Sequence, residues 1–124
     1  MATINGTTSS ENKQGTTSAD VITGGLGADT LTGGLGNDTF VYNAGDSTLA
    51  SLDQITDFHS LRNGEGEADK INLKALATAA GVTALAWGGQ TATAKGVWFV
   101  KDYDANETYV YVDTNNDISV PELA

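Results

Sequence analysis

Gly24-Gly25-Leu26-Gly27-Ala28-Asp29-Thr30-Leu31-Thr32 runs without a break into Gly33-Gly34-Leu35-Gly36-Asn37-Asp38-Thr39-Phe40-Val41. The two nine-residue stretches agree at six of their first seven positions, and the eighth is apolar in both. Such a fixed period is the mark of a stacked repeat architecture and decides the fold before any local propensity is weighed. Toward the N-terminus, residues 15–23 (G-T-T-S-A-D-V-I-T) keep the first glycine, the aspartate at position six and the apolar residue at position eight. Residues 6–14 open G-T-T-S-S-E and then lose the pattern. Toward the C-terminus the tail of the unit, aspartate-x-apolar-x, follows Asp20, Asp29 and Asp38 and returns at Asp53 and Asp69, at spacings of 9, 9, 15 and 16. The two longer spacings read as further coils whose turns carry insertions.

A three-residue strand of the form x-apolar-x points one side chain inward. The six residues between strands then form a turn, where glycines permit positive φ and let carbonyl oxygens crowd together without Cβ clashes. Crowded carbonyls beside an aspartate make a hard-oxygen cage suited to Ca²⁺. The next strand runs back on the other side, so that two units close one coil of a parallel β-roll. One inward apolar residue per nine (Ile22, Leu31, Phe40) returns less than ordering the other eight costs. Clustered carboxylates add repulsion, so the segment is expected to need the ion to fold.

Gly-Gly-x-Gly-x-Asp-x-apolar-x is the pattern of the RTX (repeats-in-toxin) nonapeptide, and residues 15–73 resemble that family closely. The stretches Asp38-Thr39-Phe40-Val41-Tyr42, Asp46-Ser47-Thr48, Asp53-Gln54-Ile55-Thr56-Asp57-Phe58 and Asp69-Lys70-Ile71-Asn72-Leu73 are similar to the C-terminal domain of serralysin-type secreted proteases and to the R-modules of alginate epimerases. The resemblance implies an all-β fold, a right-handed parallel β-roll continuing into a mixed or antiparallel sheet with one short helix. It implies a metal set of Asp20, Gly24, Gly25, Gly27, Asp29, Gly33, Gly34, Gly36, Asp38, Asp46 and Asp53, each ion sitting between one turn and the next but one. On that rule Asp20 shares an ion with the 33–38 turn, and Asp29 shares one with the turn holding Asp46 and Asp53. Roughly two to four ions are expected. At 15–19 the chain departs from the family, with T-T-S-A in place of the glycines. Asp46 and Asp53 also read as ordinary loop carboxylates. Asp57 reads as a turn or cap residue rather than a ligand, and His59 as a surface residue.

Residues 1–14 are expected to be a flexible or degenerate lead-in, and 15–124 a single domain, with 15–60 the calcium roll and 61–124 a β-rich cap. Within the cap, residues 72–81 read as a short helix that Asn72 starts and Gly81 ends. Residues 96–101 and 108–112 read as an antiparallel hairpin, and a last strand is expected at Ile118, stopped by Pro121. Asp102, Asp104 and Asn106, with Asp113, echo an EF-hand loop. Glu107 stands where that loop needs glycine. Residues 113–117 read as a plain hairpin turn.

The remaining composition narrows the function. Sixteen Asp and Glu against six Lys and Arg give the 124-residue chain a net charge of −10, which argues against nucleic acid or an anionic membrane as partner. The absence of cysteine excludes thiolate sites, and a single histidine excludes multi-imidazole zinc. No apolar run approaches the ~18 residues of a membrane helix. No H-E-x-x-H, G-x-S-x-G, P-loop or dinucleotide glycine pattern occurs, so a non-catalytic module is expected. The resemblance implies a bacterial extracellular protein, folding on Ca²⁺ after export by type I secretion machinery or as one domain of a larger secreted enzyme. The alternative is a polysaccharide-binding or adhesin end-cap module.

Overall fold

The computed structural model describes residues 1–47, 51–59, 68–79, 81, 86–89, 96–102 and 107–112. The loop 61–67, Asp104, Asn106, Asp113 and Asp117, and the strand expected at Ile118 lie outside the described residues.

Seven short strands come first: β1 (Thr3–Asn5), β2 (Asn12–Gln14), β3 (Val21–Thr23), β4 (Thr30–Thr32), β5 (Thr39–Val41), β6 (Gln54–Ile55) and β7 (Lys70–Asn72). They sort by parity. The odd strands form one parallel sheet, in the order β1-β3-β5-β7, and the even strands a second, β2-β4-β6. The register follows the repeat: Ile4 pairs with Ile22, Ile22 with Phe40, and Lys13 with Leu31, always two nonapeptides apart. Where the turns are longer the register holds, and Leu31 faces Ile55 while Phe40 faces Ile71. The lead-in where the repeat fades thus supplies one strand to each sheet.

Because side chains alternate along a strand, only the middle residue of each points inward. Ile22, Leu31 and Phe40 are wholly buried, as the period demands, and Tyr42 joins them. Ile4, Ile55, Ile71 and Leu73 pack around this cluster. The flanking threonines remain half-exposed, and Thr32 and Thr56 share a 2.7 Å hydroxyl contact across neighbouring strands.

After β7 comes α1 (Lys74–Ala79). Asn72 Oδ1 accepts the Lys74 N–H at its start, and Gly81, at φ +73°, donates its N–H to the Thr78 carbonyl past its end. Beyond it, β9 (Gly96–Asp102) and β10 (Glu107–Val112) form the expected antiparallel hairpin. β8 (Ala86–Gly89), which the sequence did not signal, pairs parallel with β9. The described residues are strand-rich, mostly parallel and poor in helix, consistent with an all-β architecture. No helix among the described residues is long and apolar enough to cross a membrane.

Candidate metal centre

The parity of the strands stacks the turns, so that the turn at 6–11 lies on that at 24–29, and 15–20 on 33–38. Backbone amides stitch them together: Leu26 N–H donates to the Thr7 carbonyl at 2.9 Å, and Leu35 N–H to the Thr16 carbonyl at 3.1 Å. The stacking leaves no space for side chains at the turn starts. A Cβ at Gly25 would run into the Thr7 carbonyl oxygen and one at Gly34 into that of Thr16, and both glycines sit at positive φ, 89° and 96°. Gly27 and Gly36 abut the backbone of residues 9–10 and 18–19.

Position six of each unit supplies a carboxylate, and these form two ladders. Along the odd sheet, Asp20 Oδ1 accepts the Ala2 N–H (2.6 Å), Asp38 Oδ1 the Asp20 N–H (2.8 Å) and Asp69 Oδ1 the Asp38 N–H (2.9 Å). Along the even sheet, Asp29 Oδ1 accepts the Glu11 N–H (2.8 Å) and Asp53 Oδ1 the Asp29 N–H (2.9 Å). One oxygen of each aspartate thus pins a strand entry to the next coil. Asp20, Asp29, Asp38, Asp46 and Asp69 are all buried.

The second oxygens divide. Asp20 Oδ2 accepts from Thr16, from its N–H at 2.6 Å and its hydroxyl at 2.8 Å. Asp46 Oδ2 accepts the Asn43 N–H and side-chain amide. Asp29, Asp38 and Asp53 each bury an Oδ2 with no hydrogen-bond partner. Two of these converge at Gly24, where a Cβ would lie 2.7 Å from Asp29 Oδ2 and 3.2 Å from Asp53 Oδ2. The third, Asp38 Oδ2, lies against Gly33 in the same way. An unpartnered buried carboxylate oxygen is costly. Hard oxygens with nothing to bind are what a divalent cation such as Ca²⁺ would satisfy. Among the described residues no group of three or more acidic or imidazole side chains is gathered, so a cation here would draw most of its shell from backbone carbonyls.

The electrostatics follow the same division. Thr16's N–H holds Asp20 below the usual carboxylate range. Burial pushes Asp38 up, with Asp69, Asp20 and Asp57 adding repulsion. Asp53 is pushed up to about 7, by burial first and then by Asp29 and Asp46. Burial and the same three carboxylates raise the Tyr42 phenol, Asp53 foremost, and the phenol in turn acts on the Asp53 carboxylate as a hydrogen-bond donor that partly offsets its rise.

Residues 14–49 match a family model described as RTX calcium-binding nonapeptide repeat (4 copies). These residues carry RTX nonapeptide repeats. A comparison with curated proteins finds no match. The RTX match takes in the 15–20, 24–29 and 33–38 turns and extends past Asp46, with Asp53 and Asp69 beyond it. RTX repeats bind calcium and are structural rather than catalytic.

Of the residues expected at the site, Gly24, Asp29 and Asp53 come together, as do Gly33 and Asp38. Asp46 is near enough to Asp53 to repel it, yet one of its oxygens is engaged with Asn43. Two residues that sequence reasoning left aside have defined places. Asp57 accepts the Gly33 N–H on one oxygen (2.8 Å) and the Gly34 N–H on the other (2.7 Å), which ties it to the start of the 33–38 turn. Asp69 ends the odd ladder, and both its oxygens take backbone amides, from Asp38 and His59. His59 also brings Nδ1 to 3.5 Å from Asp69 Oδ2. Asp69 shares the aspartate-x-apolar-x signature with Asp20, Asp29 and Asp38, and that signal alone would have placed it in the ladder.

Proposed function

We propose that the chain is a calcium-driven folding module. Asp29 and Asp53, with the oxygens around Gly24, Gly25 and Gly27, hold one ion. Asp38, with those around Gly33, Gly34 and Gly36, holds another. Binding winds the two parallel sheets of residues 15–60 into a right-handed β-roll, on which 61–124 sits as a β-rich cap. The observation that carries this reading is the set of three buried aspartate oxygens without partners, all in or against consensus glycine turns. In the metal-free chain those oxygens oppose the fold, and the ion turns the same groups into cross-links between coils.

The module serves a protein exported from bacteria in an unfolded state by a type I route and folded outside. Extracellular calcium modules are tuned to affinities of about 10⁻⁴–10⁻³ M, so the turns stay empty where calcium is scarce and fill where it is plentiful. The absence of cysteine leaves calcium, rather than oxidation, as the trigger for folding. Calorimetric titration with Ca²⁺, followed by far-ultraviolet circular dichroism, tests the folding claim. Saturable binding accompanied by a gain of β signal is expected, and an unchanged spectrum in excess chelator would refute it.

A further inference from the structure

The chain contains two kinds of turn, and they treat the same carboxylate differently. In the glycine turns, 24–29 and 33–38, position two is Gly25 or Gly34, and the position-six aspartate keeps a bare buried Oδ2. In the hydroxyl turns, 6–11 and 15–20, position two is Thr7 or Thr16, and no oxygen of the position-six carboxylate is left over. Thr16 gives Asp20 Oδ2 both its hydroxyl and its N–H, while Ala2 N–H occupies Oδ1. Thr7 gives Glu11 Oε1 its hydroxyl at 2.5 Å and Oε2 its N–H at 3.2 Å. Lys13 completes the set, with Nζ 2.7 Å from Glu11 Oε2. Each threonine is held in turn, accepting the N–H of the serine two residues on.

Resting on the calcium reading above, we propose that the hydroxyl turns are metal-free and that the chain carries its own substitutes for the ion there. The Thr16 hydroxyl and backbone amides stand in at Asp20. The Thr7 hydroxyl and the Lys13 ammonium stand in at Glu11. Lys13 is suited to this task, because it occupies the inward register position opposite Leu31 and turns its charge back onto Glu11. Among the described turns, calcium therefore loads at Asp29–Asp53 and at Asp38, and the first coil closes without it. Against the family rule, Asp20 shares no ion with the 33–38 turn.

Counting bound calcium on the full chain by calorimetry tests the division. Asp20→Asn is expected to leave the ion count and affinity unchanged. Asp29→Asn and Asp38→Asn are each expected to remove one ion. The double change Thr16→Gly with Ser18→Gly, which strips the hydroxyl and restores glycine at positions two and four, is expected to add one. An ion lost on Asp20→Asn, or none gained by the double variant, would overturn the proposal while leaving calcium binding intact. A native chain that takes up no calcium would instead sink the reading it rests on. Circular dichroism in saturating calcium confirms that each variant is folded when counted.

Discussion

Gly34 is held at positive φ with the Thr16 carbonyl where a Cβ would go. A side chain there faces two separate penalties. The left-handed conformation alone costs about 1–2 kcal/mol, and the collision adds to it. Gly34→Ala is therefore expected to lower the denaturation midpoint of the calcium-loaded protein by more than Gly81→Ala. Gly81 shares the positive φ but has nothing within 4 Å of its would-be Cβ. Equal losses in urea unfolding would show that the turn stacking carries no weight. Asp53 supplies the second prediction at this scale. It must be ionised to bind a cation, and its carboxyl is pushed up to about 7 without one. Calcium affinity should thus fall as the pH drops through that value, which titrations at successive pH values would record. Asp53→Asn, which removes the charge outright, is expected to weaken calcium binding by at least about tenfold and to flatten the pH dependence.

Each strand is three residues long or less over the repeats, so its contribution rests on one inward side chain. Leu31 is wholly buried between Lys13 and Ile55, at the centre of the even sheet. Leu31→Ala should cost about 2–5 kcal/mol, whereas Ile4→Ala, on an edge strand and only partly buried, should cost clearly less. Urea midpoints in saturating calcium would rank the two, and the reverse order would contradict the register. The elements also mark what could be read from the residues. β3, β4 and β5 were legible because period, aspartate and apolar residue coincide there. β1 and β2 were not, because Lys13 replaces the apolar residue in β2 and Ala2 stands where an aspartate precedes the other odd strands. Only the pairing of Ile4 with Ile22 and Lys13 with Leu31, two nonapeptides on, betrays them. β8 carries no alternation and its Gly88-Gly89 pair reads as a turn, so its partner β9 defines it. At the site, the aspartates were legible from their spacing. Which of their oxygens stay bare was not, since that depends on a threonine hydroxyl four residues earlier and on a coil eighteen residues away.

At the scale of the molecule, a net charge of −10 is set against a small apolar cluster among the described residues, and the repeat aspartates stand at the ends of the turns. Two routes remove the opposition, binding a cation or binding a proton. Protonation has a definite sign here. Asp53 and Asp38 are raised above the ordinary aspartate value of 3.8. The metal-free folded chain therefore holds more protons at these sites than the unfolded one, and its stability falls as the pH rises through their folded values, near 7 for Asp53. Asp20 and Glu11 are lowered, so their contribution is present above the ordinary values of 3.8 and 4.5 and is lost as the pH falls below them. Just above the ordinary values both groups favour the fold. In excess chelator the chain should accordingly show its strongest β signal near about pH 4–5, losing it as the pH falls below the ordinary carboxylate values and also as it rises toward about 7. With calcium saturating, the loss on the alkaline side should vanish, because the ion takes over from the proton. Sodium chloride at high concentration should not reproduce this, since screening acts on exposed charges and the bare oxygens are buried. A metal-free chain equally ordered at pH 5.5 and pH 8, by circular dichroism, would mean that repulsion among the turn carboxylates does not govern its folding.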